Sequence, residues 1–335
     1  MTKKLISFII PIYNGEKYID RVVGSILKEK KDNIEIIIIN DGSTDKSKDI
    51  LDKYSQNKLI KIVHKENTGV SNTRNIALSM AEGKYIMFAD CDDYFSTGFL
   101  SIIEENIKGN PEIIIFEALE EQPNGEFKKI FTQENIKKKQ LLDNDGLNGF
   151  LTSDYAIKYG NCIWNKVFKT SIIKNNKITF PENQKIAEDM LFNIHYFEYC
   201  KSIRTISEAL YVYCYNESSV TRKYRKNFLD EYLKIGNNIK LICEKVNYKD
   251  YQNLIAKFYL KETGFIMCNE LLSKDYKGSI SKLKKYFNNS IFKECLKKLR
   301  VSELSFKMKL KYYMIKLRCY NLVYRIMYLK GGNNE

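Results

Sequence analysis

Three carboxylates stand within four positions at the end of an apolar run, in residues 85–93. Neighbouring carboxylates repel one another, so folding alone gains nothing from grouping Asp90, Asp92 and Asp93 at the end of a core strand. A divalent cation that also binds phosphate oxygens would make this grouping favourable. The structural alternative is an acidic turn that caps the next helix. Which of the two applies depends on the residues that the fold brings to this point.

Polar clusters also follow two earlier runs of mostly apolar residues. Residues 5–10 end at Pro11, and residues 34–39 end in a cluster that contains Asp41. Runs rich in β-branched residues predict buried parallel strands, and the helical periodicity between them predicts βαβ units. Ligands of such sheets bind beyond the carboxyl ends of the strands. We therefore expect these clusters and Asp90 to converge on one crevice.

Composition limits the classes of protein to consider. The chain has 335 residues, 44% of them hydrophobic and 29% charged, which indicates a globular protein with a sizeable core. A formal net charge of +14 favours anionic partners such as nucleotides, nucleic acids or acidic membranes. The eight cysteines lack metal-binding spacing and predict reduced thiols in a cytoplasmic protein. No apolar run reaches transmembrane length, so any membrane contact is expected to be peripheral.

The C-terminal region predicts helices from about residue 227 onward. Residues 304–330 place Lys and Arg among aromatic and aliphatic residues, and no acidic residue stands between Glu303 and Glu335. A basic amphipathic helix of this kind is typical of proteins that lie on an anionic bilayer. A solvated basic face on a helix that packs against the domain is the alternative.

Four short segments in the first hundred residues resemble family 2 glycosyltransferases. They are residues 11–14, 40–45, 67–75 and 90–93, and their order and spacing make the resemblance specific. Farther along, residues 164–166 and 188–192 resemble the acceptor-side and catalytic-base segments of the bacterial members.

The resemblance implies a GT-A fold, a Rossmann-like α/β architecture with a mostly parallel sheet flanked by helices and a helical C-terminal extension. It implies a catalytic domain in residues 1–225, with a nucleotide-sugar-binding half in 1–100 and an acceptor and catalytic-base half in 101–225. Residues 226–335 would form the helical region. The implied activity is the inverting transfer of a hexose or N-acetylhexosamine from a UDP-sugar.

The resemblance also implies the residues of the donor site. Tyr13 would offer a flat wall to the uracil ring, and Asp41 would accept from its N3–H. Arg74 would neutralise the diphosphate or brace the carboxylates through bidentate contacts, although an arginine on a helix is usually solvated. For Glu16 a plain surface carboxylate is the alternative. The implied donor-site residues are Pro11, Tyr13, Glu16, Asp41, Asn67, Arg74, Asp90 and Asp92.

The metal and the catalytic base follow from the same family pattern. Asp92 is expected to ligate Mg²⁺ or Mn²⁺ directly, Asp90 to reach the ribose or the metal through water, and Asp93 to be structural. Inversion needs one base opposite the leaving group. The pattern assigns this role to Asp189, and Glu188 would contact the donor sugar or hold the acceptor. Acidic residues also suit a helix N-terminus, which is the alternative for this pair.

The acceptor side is less specific. Trp164 offers either an aromatic face for a sugar or a buried anchor, and Lys166 would meet an anionic acceptor or a phosphate. We expect the acceptor to be a lipid-linked saccharide of capsule, O-antigen, exopolysaccharide or teichoic-acid assembly at the inner face of the plasma membrane. A polyol-phosphate polymer and a protein are alternative acceptors, and association into a homodimer is a further expectation.

Two other classes of protein fit less well. A nucleic-acid-binding protein would explain the net charge of +14, but it leaves the acidic crevice unexplained, so we expect no nucleic-acid partner. A Rossmann oxidoreductase needs a GxGxxG turn after the first strand, where this chain has residues 11–14 of the sequence Pro-Ile-Tyr-Asn.

Overall fold

The computed structural model describes residues 4–130, 162–182, 184, 186–216, 224–245, 249–273, 275–322 and 324–325. These residues fall into two compact units, the first comprising 1–183 and 188–216 and the second 184–187 and 217–335. The division of the catalytic domain into donor and acceptor halves stays a prediction. The last residues of the predicted basic tail, 326–330, lie outside the described residues.

The first unit is an α/β fold, as predicted. Its strands are β1 Ile6–Ile12, β2 Ile34–Asp41, β3 Ile60–Lys65, β4 Tyr85–Phe88, β5 Tyr94–Phe95, β6 Ile113–Glu121, β7 Phe127–Lys129, β8 Lys166–Lys169 and β9 Ile203–Tyr213. Its helices are α1 Ile19–Leu27, α2 Ser47–Asp52, α3 Val70–Met80, α4 Phe99–Ile107, α5 Thr170–Asn175 and α6 Glu188–Phe197.

The order of the strands places the predicted clusters along one edge. The order is β3-β2-β1-β4-β8-β6-β9-β5, with β7 paired to β6, and the first four strands are mutually parallel. The carboxyl ends of β1, β2, β3 and β4 therefore share one edge, as expected from the alternation of strands and helices. Strands β1, β2 and β4 are almost fully buried, which explains their mostly apolar sequences, whereas β3 at the end of the strand order is only partly buried.

The sheet becomes mixed beyond β4. Strand β8 pairs antiparallel with both β4 and β6, whereas β6 and β9 are parallel to each other. The short strand β7 returns antiparallel to β6 through a turn that contains Gly125, whose φ of 79° is left-handed. The predicted mostly parallel sheet is thus parallel in the donor-side strands and in the β6–β9 pair, and β8 is antiparallel to its neighbours.

The second unit is built from helices, as predicted. They are α7 Phe228–Lys245, α8 Tyr251–Leu272, α9 Tyr276–Phe287, α10 Ser290–Lys297 and α11 Phe306–Lys316. Helix α8 is central and packs against the other four. The Tyr259 side chain of α8 packs against Gly236 of α7. A Cβ added at Gly236 would lie 1.9 Å from the Tyr259 hydroxyl, so glycine allows this close contact. Among the described helices, none combines the length and apolarity needed to span a bilayer.

Candidate functional site

The predicted acidic residues meet around one guanidinium group. Arg74 lies on α3, and its Nη2 donates to Asp90 Oδ1 at 3.0 Å while its Nη1 donates to Asp189 Oδ1 at 2.7 Å. Glu188 Oε1 lies 3.5 Å from the same Nη1. Arg74 is buried, whereas its three carboxylate partners are partly exposed, Asp90 the most at 34%. The structure thus joins the end of β4, helix α3 and the first turn of α6 in a single cluster.

This cluster carries more negative than positive charge, and the pKa values reflect the excess. Burial raises the pKa of Asp189 to about 8, and Glu188 and Asp90 add to the shift while Arg74 and Lys166 oppose it. Burial also raises the pKa of Asp90, against the opposing effect of Arg74. Asp189 can therefore take up and release a proton near neutral pH, as a general base must.

The carboxylate of Asp93 faces away from this cluster. It is fully buried and accepts hydrogen bonds from the Tyr211 hydroxyl at 2.9 Å and from the Cys214 backbone at 2.8 Å. The Tyr211 hydroxyl in turn accepts from the Asp90 backbone N–H at 3.0 Å. Burial, together with Asp90 and Asp92, raises the pKa of Asp93 well above its usual range. Asp93 thus fixes the acidic loop against β9, which agrees with its predicted structural role.

Asp90 and Asp92 form a donor set that fits a hard divalent cation. Asp92 Oδ2 accepts from Asn216 at 2.9 Å, and Asp90 Oδ1 accepts from Arg74. The other oxygen of each carboxylate makes no hydrogen bond to any described residue, which leaves it available to bind an ion. The described residues contain no cluster of three or more His, Cys, Asp or Glu ligands, so Asp90 and Asp92 would hold a cation only together with phosphate oxygens and water, which are usual partners of Mg²⁺.

Asp41 anchors the loop that leads into α3. Its carboxylate pairs with Lys65 and accepts from the backbone N–H groups of Thr68 at 2.9 Å and Gly69 at 3.0 Å. Burial acts to raise the pKa of Asp41, but the hydrogen bonds from Lys65 and Thr68 outweigh it and lower the pKa. Because protein donors already occupy this carboxylate, its contact with a uracil N3–H stays a prediction.

The other nucleoside-side residues lie at the same edge. Pro11 is near the end of β1, and Tyr13 follows it with its ring half exposed. Asn67 lies against Gly42, where an added Cβ would meet the Asn67 backbone nitrogen at 2.6 Å. The loops after β1, β2 and β3 therefore adjoin, and Tyr13 is the aromatic surface available there for a base.

Glu16 connects two of these loops. Its Oε2 accepts from the Lys46 backbone N–H at 2.9 Å, next to the first residue of α2, and its own N–H donates to Asp45 Oδ2 at 3.0 Å. Asn14 makes a parallel link, because its Oδ1 accepts from the Thr44 backbone at 2.8 Å. These contacts favour a structural role for Glu16 over the predicted nucleoside contact.

Trp164 and Lys166 both face the protein interior. The Trp164 ring is buried and stacks on Tyr211, with centroids 4.9 Å apart and planes 10° apart. Lys166 is fully buried, and its Nζ donates to the Cys162 carbonyl at 2.6 Å and to Asn165 Oδ1 at 2.8 Å. Burial lowers its pKa. Burial therefore favours the buried-anchor alternative for Trp164 and a structural role for Lys166, and the contacts of both with an acceptor stay predictions.

The sequence did not reveal a clamp between α3 and the segment before α6. Asn75 donates from Nδ2 to the Phe180 carbonyl at 2.9 Å and accepts the Phe180 N–H on Oδ1 at 2.8 Å. The Phe180 ring lies between the Arg74 guanidinium, 5.3 Å away, and the Phe192 ring of α6, which it stacks at 4.1 Å. Asn75 stands in a motif segment, but its residue type does not predict a two-point bond to a backbone 105 residues away.

Known proteins share sequence similarity with this chain. The model of glycosyl transferase family 2 matches residues 7–167. The poly(ribitol-phosphate) beta-N-acetylglucosaminyltransferase TarP of Staphylococcus aureus is 30% identical over 258 residues, which cover 74% of this chain and 75% of that protein. The uncharacterized glycosyltransferase EpsJ of Bacillus subtilis is 28% identical over 230 residues, which cover 68% of this chain and 66% of that protein.

A solved structure shares the fold. S. aureus TarS 1-349 in complex with UDP-GlcNAc superposes with a TM-score of 0.71 at 22% identity, covering 98% of this chain and 92% of that one. The first unit thus has the GT-A fold. The chain belongs to glycosyltransferase family 2, which confirms the predicted resemblance, fold class and enzyme class.

Proposed function

We propose that this enzyme transfers a hexose or N-acetylhexosamine from a UDP-sugar to an acceptor hydroxyl, with inversion at the anomeric carbon. One observation carries the proposal: Arg74 joins Asp90, at the predicted diphosphate end, to Asp189, at the predicted acceptor end. TarS in its UDP-GlcNAc complex and the N-acetylglucosaminyltransferase TarP support a UDP-sugar as the donor.

The chemistry needs one displacement and no covalent intermediate. The acceptor oxygen attacks the anomeric carbon, the bond from that carbon to the diphosphate breaks, and its electron pair leaves with UDP. The acceptor proton passes to Asp189. Arg74 holds Asp189 through Oδ1, and Oδ2 makes no hydrogen bond to the described residues, which leaves it for the proton. Glu188, in the same helical turn, is placed to hold a sugar or acceptor hydroxyl.

Asp92 and Asp90 would hold Mg²⁺ or Mn²⁺, which when bound neutralises charge on the departing diphosphate. Arg74 supplies a fixed positive charge beside Asp90. The Asp93–Tyr211 hydrogen bond keeps the acidic loop in place for both roles.

The acceptor we propose is a lipid-linked saccharide or other surface-polysaccharide precursor, met at the inner face of the plasma membrane. A polyol-phosphate polymer is the second candidate, because the relative TarP is named for poly(ribitol phosphate). Product formation on poly(ribitol phosphate), compared with a lipid-linked saccharide, separates the two.

A donor screen tests the proposed activity. We expect nucleotide release from at least one of UDP-Glc, UDP-Gal, UDP-GlcNAc and UDP-GalNAc, stimulated by Mn²⁺ or Mg²⁺, and none from a GDP-sugar. Release is measured with and without a chelator. Release from the GDP-sugar alone, or none from any UDP-sugar under any metal condition, would contradict the proposal.

The Asn75 clamp predicts a positioning effect on this reaction. Asn75→Ala removes two hydrogen bonds to the Phe180 backbone and should lower kcat by about tenfold while leaving the donor KM nearly unchanged. Ser79→Ala is the control, since among the described residues the Ser79 hydroxyl on the same helix bonds to the Ile76 carbonyl one turn away. A loss confined to KM, or a kcat equal to that of the control, would rule out the positioning role.

A further inference from the structure

Four large apolar side chains of the second unit lie exposed along one line. Phe306 is 82% exposed, Leu310 51%, Tyr313 50% and Leu317 72%. They are four, three and four residues apart, so they share one face of α11 and its C-terminal cap. We call these four residues the α11 stripe. An aligned set of this kind differs from the scattered exposed apolar residues of ordinary surfaces.

The opposite side of α11 already has its core contacts. Ile315 is buried, and the helix packs against α8. Its N-terminus is fixed by Ser305, whose hydroxyl accepts from the Met308 N–H at 3.4 Å, and the preceding Leu304 is buried. The packing of α11 therefore holds the stripe toward solvent.

Positive charge surrounds the stripe. Lys309 and Lys316 lie on α11 and Arg318 follows it, with Lys316 and Arg318 exposed. The sequence has no Asp or Glu between Glu303 and Glu335. An apolar line with cationic flanks matches the boundary of an anionic bilayer, where apolar groups enter the acyl region and cations meet the headgroup phosphates.

We propose that the α11 stripe docks this enzyme on an anionic bilayer. The proposal rests on the proposed function only in that a lipid-linked acceptor gives the docking its purpose. Docking would bring a chain with no spanning helix among its described residues to a substrate held in the membrane.

Vesicle flotation of the full chain tests the docking. We expect the protein to float with vesicles of phosphatidylglycerol and phosphatidylcholine, and much less with phosphatidylcholine alone. The double variant Phe306→Ser, Leu317→Ser should bind anionic vesicles at least about tenfold more weakly, because it lacks two large apolar side chains that would be buried in the bilayer on binding. Leu241→Ser is the matched control, since Leu241 is 62% exposed on α7, away from α11 in sequence.

A second variant tests the charge independently of the stripe. Lys309→Gln with Lys316→Gln should reduce the preference for anionic vesicles and its sensitivity to salt. The proposal is overturned if the stripe variant floats like Leu241→Ser. It is also overturned if the stripe variant changes only the molar mass in solution, which would mean that a second copy covers the stripe. Nucleotide release is measured in parallel, so that failure of transfer and failure of docking are distinguished.

Discussion

Asp189→Asn is expected to lower the rate of sugar transfer by about a hundredfold to ten-thousandfold while UDP binding persists. The amide cannot take up the proton of the acceptor hydroxyl. A loss of this size is the contribution expected of a general base. The amide still offers an oxygen to Arg74, so the cluster keeps its shape. Single-turnover rates and calorimetric UDP titration make the comparison. Transfer near the wild-type rate would exclude Asp189 as the base.

The raised pKa of Asp189 also predicts how the stability of the Asp189→Asn variant, relative to wild type, depends on pH. The pKa of Asp189 is about 8 in the folded protein against an ordinary 3.8, so the folded state binds the proton more tightly than the unfolded state. The contribution of Asp189 to stability is therefore fully present below about pH 4 and is lost as the pH rises through 8. In the protein without ligand, the melting temperature of Asp189→Asn minus that of wild type should therefore increase as the pH rises across this range. A difference independent of pH would contradict the raised pKa.

Arg74→Ala should cost about 3–5 kcal/mol of stability and abolish transfer. Removing one member of a buried ion cluster leaves the others uncompensated, here Asp90, Glu188 and Asp189. Arg74→Lys keeps the charge but loses the two-pronged geometry that reaches Asp90 and Asp189 together, so we expect it to fold and to lose most of its activity.

Urea unfolding and kcat/KM measure these two effects separately. Arg204→Ala is the control, because Arg204 is exposed on β9 and bonds to the Asn106 carbonyl. An Arg74→Lys enzyme that matches wild type in both measurements would show that the bridge is dispensable.

The donor-side strands could be predicted because their burial in the fold produces apolar runs that are visible in the sequence. Strands β1 and β2 are almost entirely buried, so their sequences are mostly apolar, and the buried polar residues Ser7 and Glu35 bond to each other. Strand β9 has no continuous apolar run in its first part. Its buried residues Ile203, Ile206 and Leu210 are separated by two or three less buried residues, most of them polar.

Contacts between distant segments could not be predicted from residue type. Strand β8 begins and ends with lysine, and it becomes a strand because β4 and β6 supply partners on both sides. The burial of Lys166 depends on carbonyl and amide oxygens that its neighbours present. Motif spacing identified Arg74 and Asp189 separately, whereas their direct contact across 115 positions required the fold.

The stereochemistry of the first turnover tests the central claim most directly. With UDP-α-sugar donors, Mn²⁺ and either an acceptor or water, proton NMR can record the anomer that forms first. Direct attack assisted by Asp189 predicts the β-anomer, and Asp189→Asn should form it far more slowly. First appearance of the α-anomer, or an equal rate in the variant, would contradict single inversion with Asp189 as the base.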